Sequence, residues 1–372
     1  MYFRPGRVLA VAVLCAVVAG CGGSHTSSSI TPAGGTLKPQ LNGGTGSLAQ
    51  PTLYVSGRGA VFAYDLTASG DTAPVSKTTG YYYQAGGVNA SIAGIATNAP
   101  GDLVVLQNYG ATTSTSCQLV YIPARTGTSP ASASFLNCNN DNGDIQGTGV
   151  GVTFTGQQSL GNADDIDVLM SYNALNTVPG CDTTTSAQYE VDRYTVAAGP
   201  SLSTFGCETL TGQRDYIAGS TNGAYFVDQT SGGFIERYDV NGTLTNSDAP
   251  GSLPAPGPLS VAANLTASQG YRVLASNSGG VTTIYSFKNN GAAFTFTHAL
   301  GTFTNTVAAL AVDNNGTIYV GVNQPNGVTK VKVYGPSKTQ ATDPDYILNN
   351  PVRRPNPSAS PAAVITGIAI AQ

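Results

Sequence analysis

The chain has 372 residues, of which 10% are charged, and 20 acidic residues against 16 basic ones give a formal net charge of −4. Duplex nucleic acids are bound through clustered Lys and Arg side chains that neutralise phosphates, so this balance argues against a nucleic-acid partner. The low charge, together with 46 glycines and no tryptophan, is typical of an extracytoplasmic all-β protein with a polar, weakly ionised surface.

The first 21 residues have the organisation of an export signal. Arg4 and Arg7 precede an apolar run, Val8–Val18, which is too short to span a bilayer. The run ends in Val18-Ala19-Gly20-Cys21, which resembles the lipobox of bacterial lipoproteins. The resemblance implies cleavage before Cys21 and a diacylglyceryl thioether on its sulfur. Gly22 in the next position, by the same resemblance, favours the outer membrane where the host has two membranes. An ordinary secretory signal with an incidental cysteine is the alternative.

The segment after Cys21 is small and polar and lacks the apolar residues of a core. Residues 22–50 are mostly Gly, Ser, Thr, Pro and Asn, which cannot bury enough surface to offset the entropy lost on ordering. We expect residues 1–20 to be a signal peptide, residues 21–50 a lipidated and disordered tether, and residues 51–372 the folded domain. Without the signal peptide, 14 basic and 20 acidic residues leave a net charge of about −6.

Four cysteines remain in the folded domain, and their spacing lacks the short C-x-x-C pairs of a zinc site. An even number of cysteines in an exported chain favours disulfides. Two strand-like runs that flank a turn near Gly127 place Cys117 opposite Cys138 across a hairpin. A second disulfide, between Cys181 and Cys207, then follows by elimination. The other two connectivities remain open.

From residue 51 onward, short runs rich in Val, Ile, Tyr, Phe and Thr alternate with Gly, Asn, Asp and Pro turns, which indicates an all-β fold. Six times an apolar strand is followed by a turn and a second strand that ends in tyrosine. These tyrosines are Tyr64, Tyr121, Tyr194, Tyr238, Tyr285 and Tyr334. Six units of about 54 residues predict a six-bladed β-propeller of four-stranded blades, in which the tyrosines pack between adjacent sheets.

The last unit carries a family resemblance. Val307–Val320 consists of an apolar strand, an Asp-Asn-Asn-Gly turn and an Ile-Tyr-Val strand, and it looks like an NHL-type propeller repeat. The resemblance implies the fold and no particular activity.

The two ends of the domain complement one another. Residues 363–371 form an apolar strand without a partner, and Leu53-Tyr54-Val55 forms a second strand without a first. Pairing them closes a blade from both termini and leaves no open edge. Seven blades or a two-sheet sandwich are the alternatives.

Catalytic residue types are scarce. His298 is the one histidine of residues 51–372, whereas the propeller lactonases of the paraoxonase type use paired histidines. Gluconolactonase-type propellers place a Glu ligand for a divalent cation at the start of an inner strand. Here Glu190, Glu208 and Glu236 all fall on or near outer strands, so no residue is assigned a catalytic or metal-binding role.

Two acidic stretches could bind calcium, the one cofactor the sequence suggests. Asn139–Asp144 has oxygen ligands at alternate positions but lacks the Glu that completes a calcium loop. Asp164–Asp167 could gather a cation, or it could simply be the charged beginning of a strand.

Propeller topology predicts one ligand-binding face. Loops between second and third strands, and loops between blades, converge around the mouth of the central channel. The candidate ligand-binding residues there are Arg58, Asn108, Asn173, Arg214, Asp215, Asp228, Asn277 and Asn323. Asn and Asp are also common in turns for backbone reasons alone.

The sequence therefore favours a monomeric, lipid-anchored binding or scaffold module of the cell envelope that recognises a glycan, another polar ligand or a protein. The alternative is a metal-dependent hydrolase or lyase, similar to the lactonases, that uses Asp and Asn residues at the channel.

Overall fold

The computed structural model describes the backbone over most of residues 51–372 and a short stretch before them. The described residues are 41–43, 51–57, 59–79, 91–98, 101–111, 114–123, 134–137, 147–157, 164–172, 189–195, 204–210, 212–219, 223–229, 234–239, 242–248, 256–261, 272–278, 281–289, 294–305, 307–352 and 363–371. They contain strands and turns but no helix, and the strands form small antiparallel sheets in a propeller arrangement.

The first sheet, sheet I, contains strands from both ends of the chain. Its strands are β1 (Leu41–Gly43), β2 (Thr52–Gly57), β3 (Ala60–Asp65), β4 (Ser76–Thr79) and β25 (Gly367–Ala371). They are hydrogen-bonded in the order β1-β4-β3-β2-β25. The predicted pairing of the C-terminal strand with Leu53-Tyr54-Val55 is observed, since Leu53 lies opposite Ile370 and Val55 opposite Ile368.

The other five sheets have four strands each, hydrogen-bonded in chain order. Sheet II comprises β5 (Ser91–Thr97), β6 (Leu103–Ala111), β7 (Ser114–Ile122) and β8 (Ser134–Asn137). Sheet III comprises β9 (Gly147–Gln157), β10 (Asp164–Tyr172), β11 (Tyr189–Thr195) and β12 (Thr204–Leu210). Sheet IV comprises β13 (Ile217–Gly219), β14 (Tyr225–Gln229), β15 (Phe234–Tyr238) and β16 (Leu244–Asp248). Sheet V comprises β17 (Pro256–Val261), β18 (Arg272–Ser278), β19 (Val281–Asn289) and β20 (Phe294–Phe303). Sheet VI comprises β21 (Val307–Val312), β22 (Ile318–Asn323), β23 (Thr329–Tyr334) and β24 (Tyr346–Asn349).

In each sheet the strand ends lie along two opposite sides, and it is these two sides, as distinct from the outermost strands, that we name as edges. The edge at which a sheet's first strand begins is also the edge at which its second strand ends and its third begins. We call it the mouth edge and the opposite one the base edge. In sheet I, Ser56 opposite Gly367 lies at the mouth edge, and Thr52 opposite Ala371 lies at the base edge.

The core lies between the sheets rather than within any one of them. Side chains alternate across a strand, so one sheet can contribute apolar residues to clusters on both of its faces. From β2, Leu53 and Val55 pack against sheet VI, while Tyr54 joins a cluster with sheet II. In β22, Val320 joins a cluster with sheet V.

Four of the six repeated tyrosines are buried, as the repeat predicts. They are Tyr64, Tyr194, Tyr238 and Tyr334. A buried phenol needs a hydrogen-bond partner. The hydroxyl of Tyr64 donates to the Pro351 carbonyl at 2.6 Å, and that of Tyr334 donates to the Ala341 carbonyl at 2.7 Å. Each ring therefore packs between sheets while its hydroxyl fixes a loop. Tyr121 and Tyr285 are partly exposed.

The Asp-Asn-Asn-Gly segment forms the tight hairpin between β21 and β22. Oδ1 of Asp313 accepts hydrogen bonds from the backbone N–H groups of Asn315 and Thr317 at 2.9 and 2.7 Å. Gly316 closes the turn with φ of 84°, a conformation that glycine adopts without steric cost. Asn98, Gly101 and Asp102 form the corresponding hairpin of sheet II, with φ of 93° at Gly101.

The segment predicted to be a tether contains one strand. Leu41–Gly43 is β1, which pairs antiparallel with β4 at the outer edge of sheet I. Position 41 is one of few large apolar residues between 22 and 50, and three residues are too few to show a period in the sequence.

We predict that deletion of residues 363–372 unfolds or aggregates the domain. The deletion removes β25 and the buried side chains of Ile365 and Ile368, whose full burial stabilises the fold by roughly 1.5–3 kcal/mol each. It also leaves β2 with an unpaired edge. Thermal unfolding followed by circular dichroism measures the effect, and deletion of residues 22–40 is the matched control. A C-terminal truncation that melts like the full chain would contradict the account.

Candidate functional site

The predicted ligand-binding residues divide into those that the structure describes and those that it does not. Asn108, Arg214, Asp215, Asp228 and Asn323 lie at the mouth edge with their side chains described. Asn277 lies on β18 opposite Thr282, and only its backbone is described. Arg58 and Asn173, like Cys21, Cys138 and Cys181, lie outside the described residues.

Asn108 and Asn323 make the same two-point contact with the following sheet. Asn108 lies on β6 opposite Ser91, the first residue of β5. Its Nδ2 donates to the Gly149 carbonyl and its Oδ1 accepts from the Gly149 N–H, both at 2.8 Å. Asn323, at the equivalent place in sheet VI, donates to the Ile365 carbonyl at 3.1 Å and accepts from the Ile365 N–H at 2.8 Å. Both carboxamides thus tie one sheet to the next at the mouth edge, Asn108 through a residue of β9 and Asn323 through a residue just before β25.

Asp228 organises the mouth edge of sheet IV. Its side chain is fully buried, and Oδ1 accepts hydrogen bonds from the backbone N–H groups of Asp215 and Tyr216 at 2.9 and 2.7 Å. These two residues precede β13, so the carboxylate fixes the connection from sheet III. Burial and the charges of Asp215 and Asp228 raise the pKa of Tyr216 to about 12, which keeps its hydroxyl protonated.

Arg214 is buried beneath this turn, with 1% of its surface exposed. Its Nη1 lies 2.8 Å from Oε2 of Glu236 and donates to the Asp228 carbonyl at 3.1 Å. The Tyr238 hydroxyl donates to the same Glu236 oxygen at 2.7 Å. Glu236 therefore binds a guanidinium and a phenol between sheets III and IV.

A second buried ion pair lies in sheet III. Arg193 on β11 lies directly opposite Asp167 on β10, and its Nε and Nη2 donate to the two carboxylate oxygens at 2.6 and 2.9 Å. Burial raises the pKa of the Asp167 carboxyl, an effect that the Arg193 guanidinium opposes. Burial alone would lower the pKa of Arg193, but the hydrogen bond and charge of Asp167 outweigh it and raise that pKa.

Two tyrosines connect these ion pairs. The guanidinium of Arg193 lies over the ring of Tyr225, 5.4 Å from its centroid, and Tyr225 stacks on Tyr238 with centroids 5.0 Å apart. Asp167, Arg193, Tyr225, Tyr238, Glu236 and Arg214 thus form one continuous network, which we call the III–IV network. Its two ion pairs balance in charge, and cation–π contacts of this kind are strongest when desolvated.

Sequence reasoning placed Arg214, Asp215 and Asp228 at the mouth edge and Glu236 and Tyr238 on strands, but it did not find the pairing of Asp167 with Arg193. It treated Asp164–Asp167 as a candidate for calcium or as the charged beginning of a strand. Asp165 and Asp167 are buried on β10. Asp167 is bound by Arg193, which fits the second alternative. The signal in the sequence was an acid and a base on consecutive predicted strands, at positions whose pairing depends on the register.

The described part of the chain contains no group of three or more His, Cys, Asp or Glu residues placed to bind a metal ion. The other calcium candidate, Asn139–Asp144, lies outside the described residues. Glu190, Glu208 and Glu236 lie on β11, β12 and β15, which are third or fourth strands as expected. His298 lies on β20 opposite Tyr285.

Cys117 is disulfide-bonded and fully buried between sheets II and III, with its Sγ 3.5 Å from Sδ of Met170. Its partner is not among the side chains that the structure describes. Cys207 lies on β12 opposite Asp192. The pairing of the four cysteines therefore stays a prediction.

Within the described residues, no helix has the length and apolar character needed to cross a membrane.

The comparisons with known proteins show no family for this chain. No protein-family model matches the chain, and neither does any curated protein. Solved structures similar to it include a protein of unknown function from Bacteroides caccae, with 13% identity and a TM-score of 0.46 over 87% of this chain and all of that one. A protein from Lactobacillus plantarum has 10% identity and a TM-score of 0.43, over 87% of this chain and 99% of that one. Virginiamycin B lyase from Staphylococcus aureus has 12% identity and a TM-score of 0.37, over 74% of this chain and 76% of that one. Likenesses this weak carry no argument about fold or activity.

We predict that Arg193→Met lowers the free energy of unfolding by about 3–5 kcal/mol at pH 7, because it leaves the Asp167 carboxylate buried without a counter-charge. Urea unfolding at pH 7 and pH 4 measures the loss. The loss shrinks at pH 4, since burial raises the Asp167 pKa and the protonated carboxyl carries no charge.

The control is the double variant Arg193→Met/Asp167→Leu, which removes both charges and recovers much of the stability. Equal losses in the single and double variants would show that the ion pair does not act as a unit.

For the sheet-to-sheet contacts, we predict that Asn108→Ala and Asn323→Ala each cost about 1–3 kcal/mol, because a backbone N–H and C=O in a partly buried place lose their partners. Asn326→Ala is the control: its Oδ1 accepts one exposed bond from the Val328 N–H, and we expect a change within about 0.5 kcal/mol. If all three variants unfold at the same urea concentration, the contacts carry no stability.

Proposed function

We propose that this protein is a lipid-anchored β-propeller of six blades that acts as a binding or scaffold module in the cell envelope, for a polar ligand or a protein partner. The observation that carries the proposal is the mouth edge, where side chains fix the ends of neighbouring sheets and from which the longest connections extend.

The construction of the mouth edge supports a binding role. Asn108, Asn323 and Asp228 hold backbone groups at this edge, which makes it a rigid base for loops. Binding residues in proteins lie disproportionately on loops that a rigid scaffold positions. Between the described strands, the two longest stretches of sequence, 173–188 and 350–366, join strand ends at this edge. The sequence between β4 and β5, residues 80–90, also joins strand ends at this edge, and it contains three consecutive tyrosines.

The closed six-bladed ring is supported by the order of contacts between sheets. The first strands contact one another in succession, from β5 through β9, β13 and β17 to β21, and β25 lies against both β21 and β5. Because β25 is hydrogen-bonded to β2, sheet I would then be the sixth blade. An NHL-like repeat at Val307–Val320 agrees with this count.

Export and anchoring rest on the N-terminal sequence. The lipobox-like Val18–Cys21 supports lipidation of Cys21 and residence on a membrane, the outer one where the host has two. The disulfides Cys117–Cys138 and Cys181–Cys207 belong to the same proposal. Pairing of β7 with β8 ends at Gln118 opposite Asn137, and the next residues along the two strands are Cys117 and Cys138. Non-reducing peptide mapping tests both bridges.

The test of the binding role compares the two edges of one sheet in the full chain. A photo-crosslinking amino acid at Gln213, exposed at the mouth edge of sheet IV, should give covalent adducts in membranes of a bacterial host. The same amino acid at Leu244, 49% exposed at the base edge of that sheet, is the control and should give none. Equal adducts from both positions would contradict a binding face at the mouth edge.

Two further measurements separate the parts of the proposal. Cys21→Ala should abolish incorporation of labelled fatty acid, and incorporation at the level of the unmodified chain would refute the anchor. A stoichiometric cation whose removal abolishes turnover of a lactone or glycan would refute the binding module and favour an enzyme.

A further inference from the structure

The short strand β1 covers the outer edge of sheet I. Its three residues pair antiparallel with β4, with Leu41 opposite Thr78, Asn42 opposite Lys77 and Gly43 opposite Ser76. An outermost strand without a partner exposes a row of unpaired backbone groups, and β1 supplies that partner from the segment before the domain. The chain is thus attached to the domain before β2 begins.

The direction of β1 decides where the preceding residues leave the domain. Thr79 of β4 lies opposite Ala60 at the mouth edge, whereas Ser76 lies opposite Ala63 nearer the base edge. Since Leu41 pairs with Thr78 and Gly43 with Ser76, β1 runs from the mouth edge towards the base edge. The chain therefore enters β1 at the mouth edge with Leu41, while β2 begins at the base edge with Thr52 opposite Ala371.

From this register we infer that β1 orients the propeller with its mouth edge towards the membrane that holds Cys21. The inference rests on the lipid anchor proposed above. Residues 22–40 are nineteen residues, and a coil of that length spans about 24 Å on average. With β1 released, the thirty residues 22–51 would instead lead to the base edge, on the opposite side of a sheet roughly 20 Å tall.

The orientation narrows the kind of partner. A mouth edge joined to the bilayer by a coil of about 24 Å average span faces molecules at the surface of that same membrane. Ligands that approach from the far side would meet the base edge, where the Asx hairpins Asn98–Asp102 and Asp313–Thr317 lie. The binding partner is therefore held at the anchoring membrane.

Energy transfer to the bilayer measures the orientation. The full lipidated chain carries a donor fluorophore on an unnatural amino acid at Gln213 or at Leu244, in phosphatidylethanolamine–phosphatidylglycerol vesicles with a headgroup acceptor. We expect higher transfer from position 213, because the two positions lie at opposite edges of sheet IV. Equal transfer, or higher transfer from position 244, would overturn the inference while leaving the anchor intact.

Release of β1 should remove the difference. Leu41→Pro/Gly43→Pro removes two backbone donors and prevents strand pairing, so transfer from position 244 should equal or exceed that from 213. Gly35→Pro/Leu37→Pro, outside β1, is the matched control and should keep the original order. An unchanged order in the β1 variant would overturn the role of β1. Absence of transfer from both positions, with Cys21→Ala behaving identically, would refute the anchor itself.

Discussion

The pairing of β25 with β2 is the constraint on which the rest of the structure depends. It joins strands from the two ends of the domain, and the bond between the Ser56 and Thr366 hydroxyls, 3.0 Å long, spans 310 residues of chain. Only with β25 in place can Leu53, Val55 and Ile368 pack against sheet VI while Ala369 packs against sheet II. Since the other sheets rely on neighbours for their cores, an open sheet I would leave two interfaces incomplete.

The interfaces between sheets do not all rely on the same forces. Apolar contacts dominate between sheets I and II and between V and VI, whereas the III–IV network places two ion pairs and two stacked tyrosines among the apolar residues of its interface. Buried ion pairs contribute little net stability, because desolvation offsets the attraction. Breaking one is costly, however, so the network penalises any displacement of sheet IV relative to sheet III. At the mouth edge, Asn108 and Asn323 have the same consequence for neighbouring sheets through hydrogen bonds to Gly149 and Ile365.

Much of the fold could be predicted from local patterns, because strand periodicity, turn residues and the repeated tyrosines are properties of short segments. Asp313–Thr317 forms the hairpin that its Asp-Asn-Asn-Gly sequence indicates. The candidate site was less accessible. Asn108 and Asn323 looked like ligand-binding residues, but which atoms they bind depends on the placement of the next sheet. The pairing of Asp167 with Arg193 depends on a register that a strand pattern does not specify. β1 was missed because three residues carry no periodicity.

Native-state hydrogen exchange of β25 and β2 tests the central claim most directly. If the two strands form one sheet that holds the domain together, their backbone amides exchange only through global unfolding, with the same free energy as the amides of β22. The account predicts this common value and its parallel decrease in urea. Faster exchange of residues 367–371 than of β2, through a local opening that leaves β2 protected, would contradict this account. The domain would then hold together without its C-terminal strand.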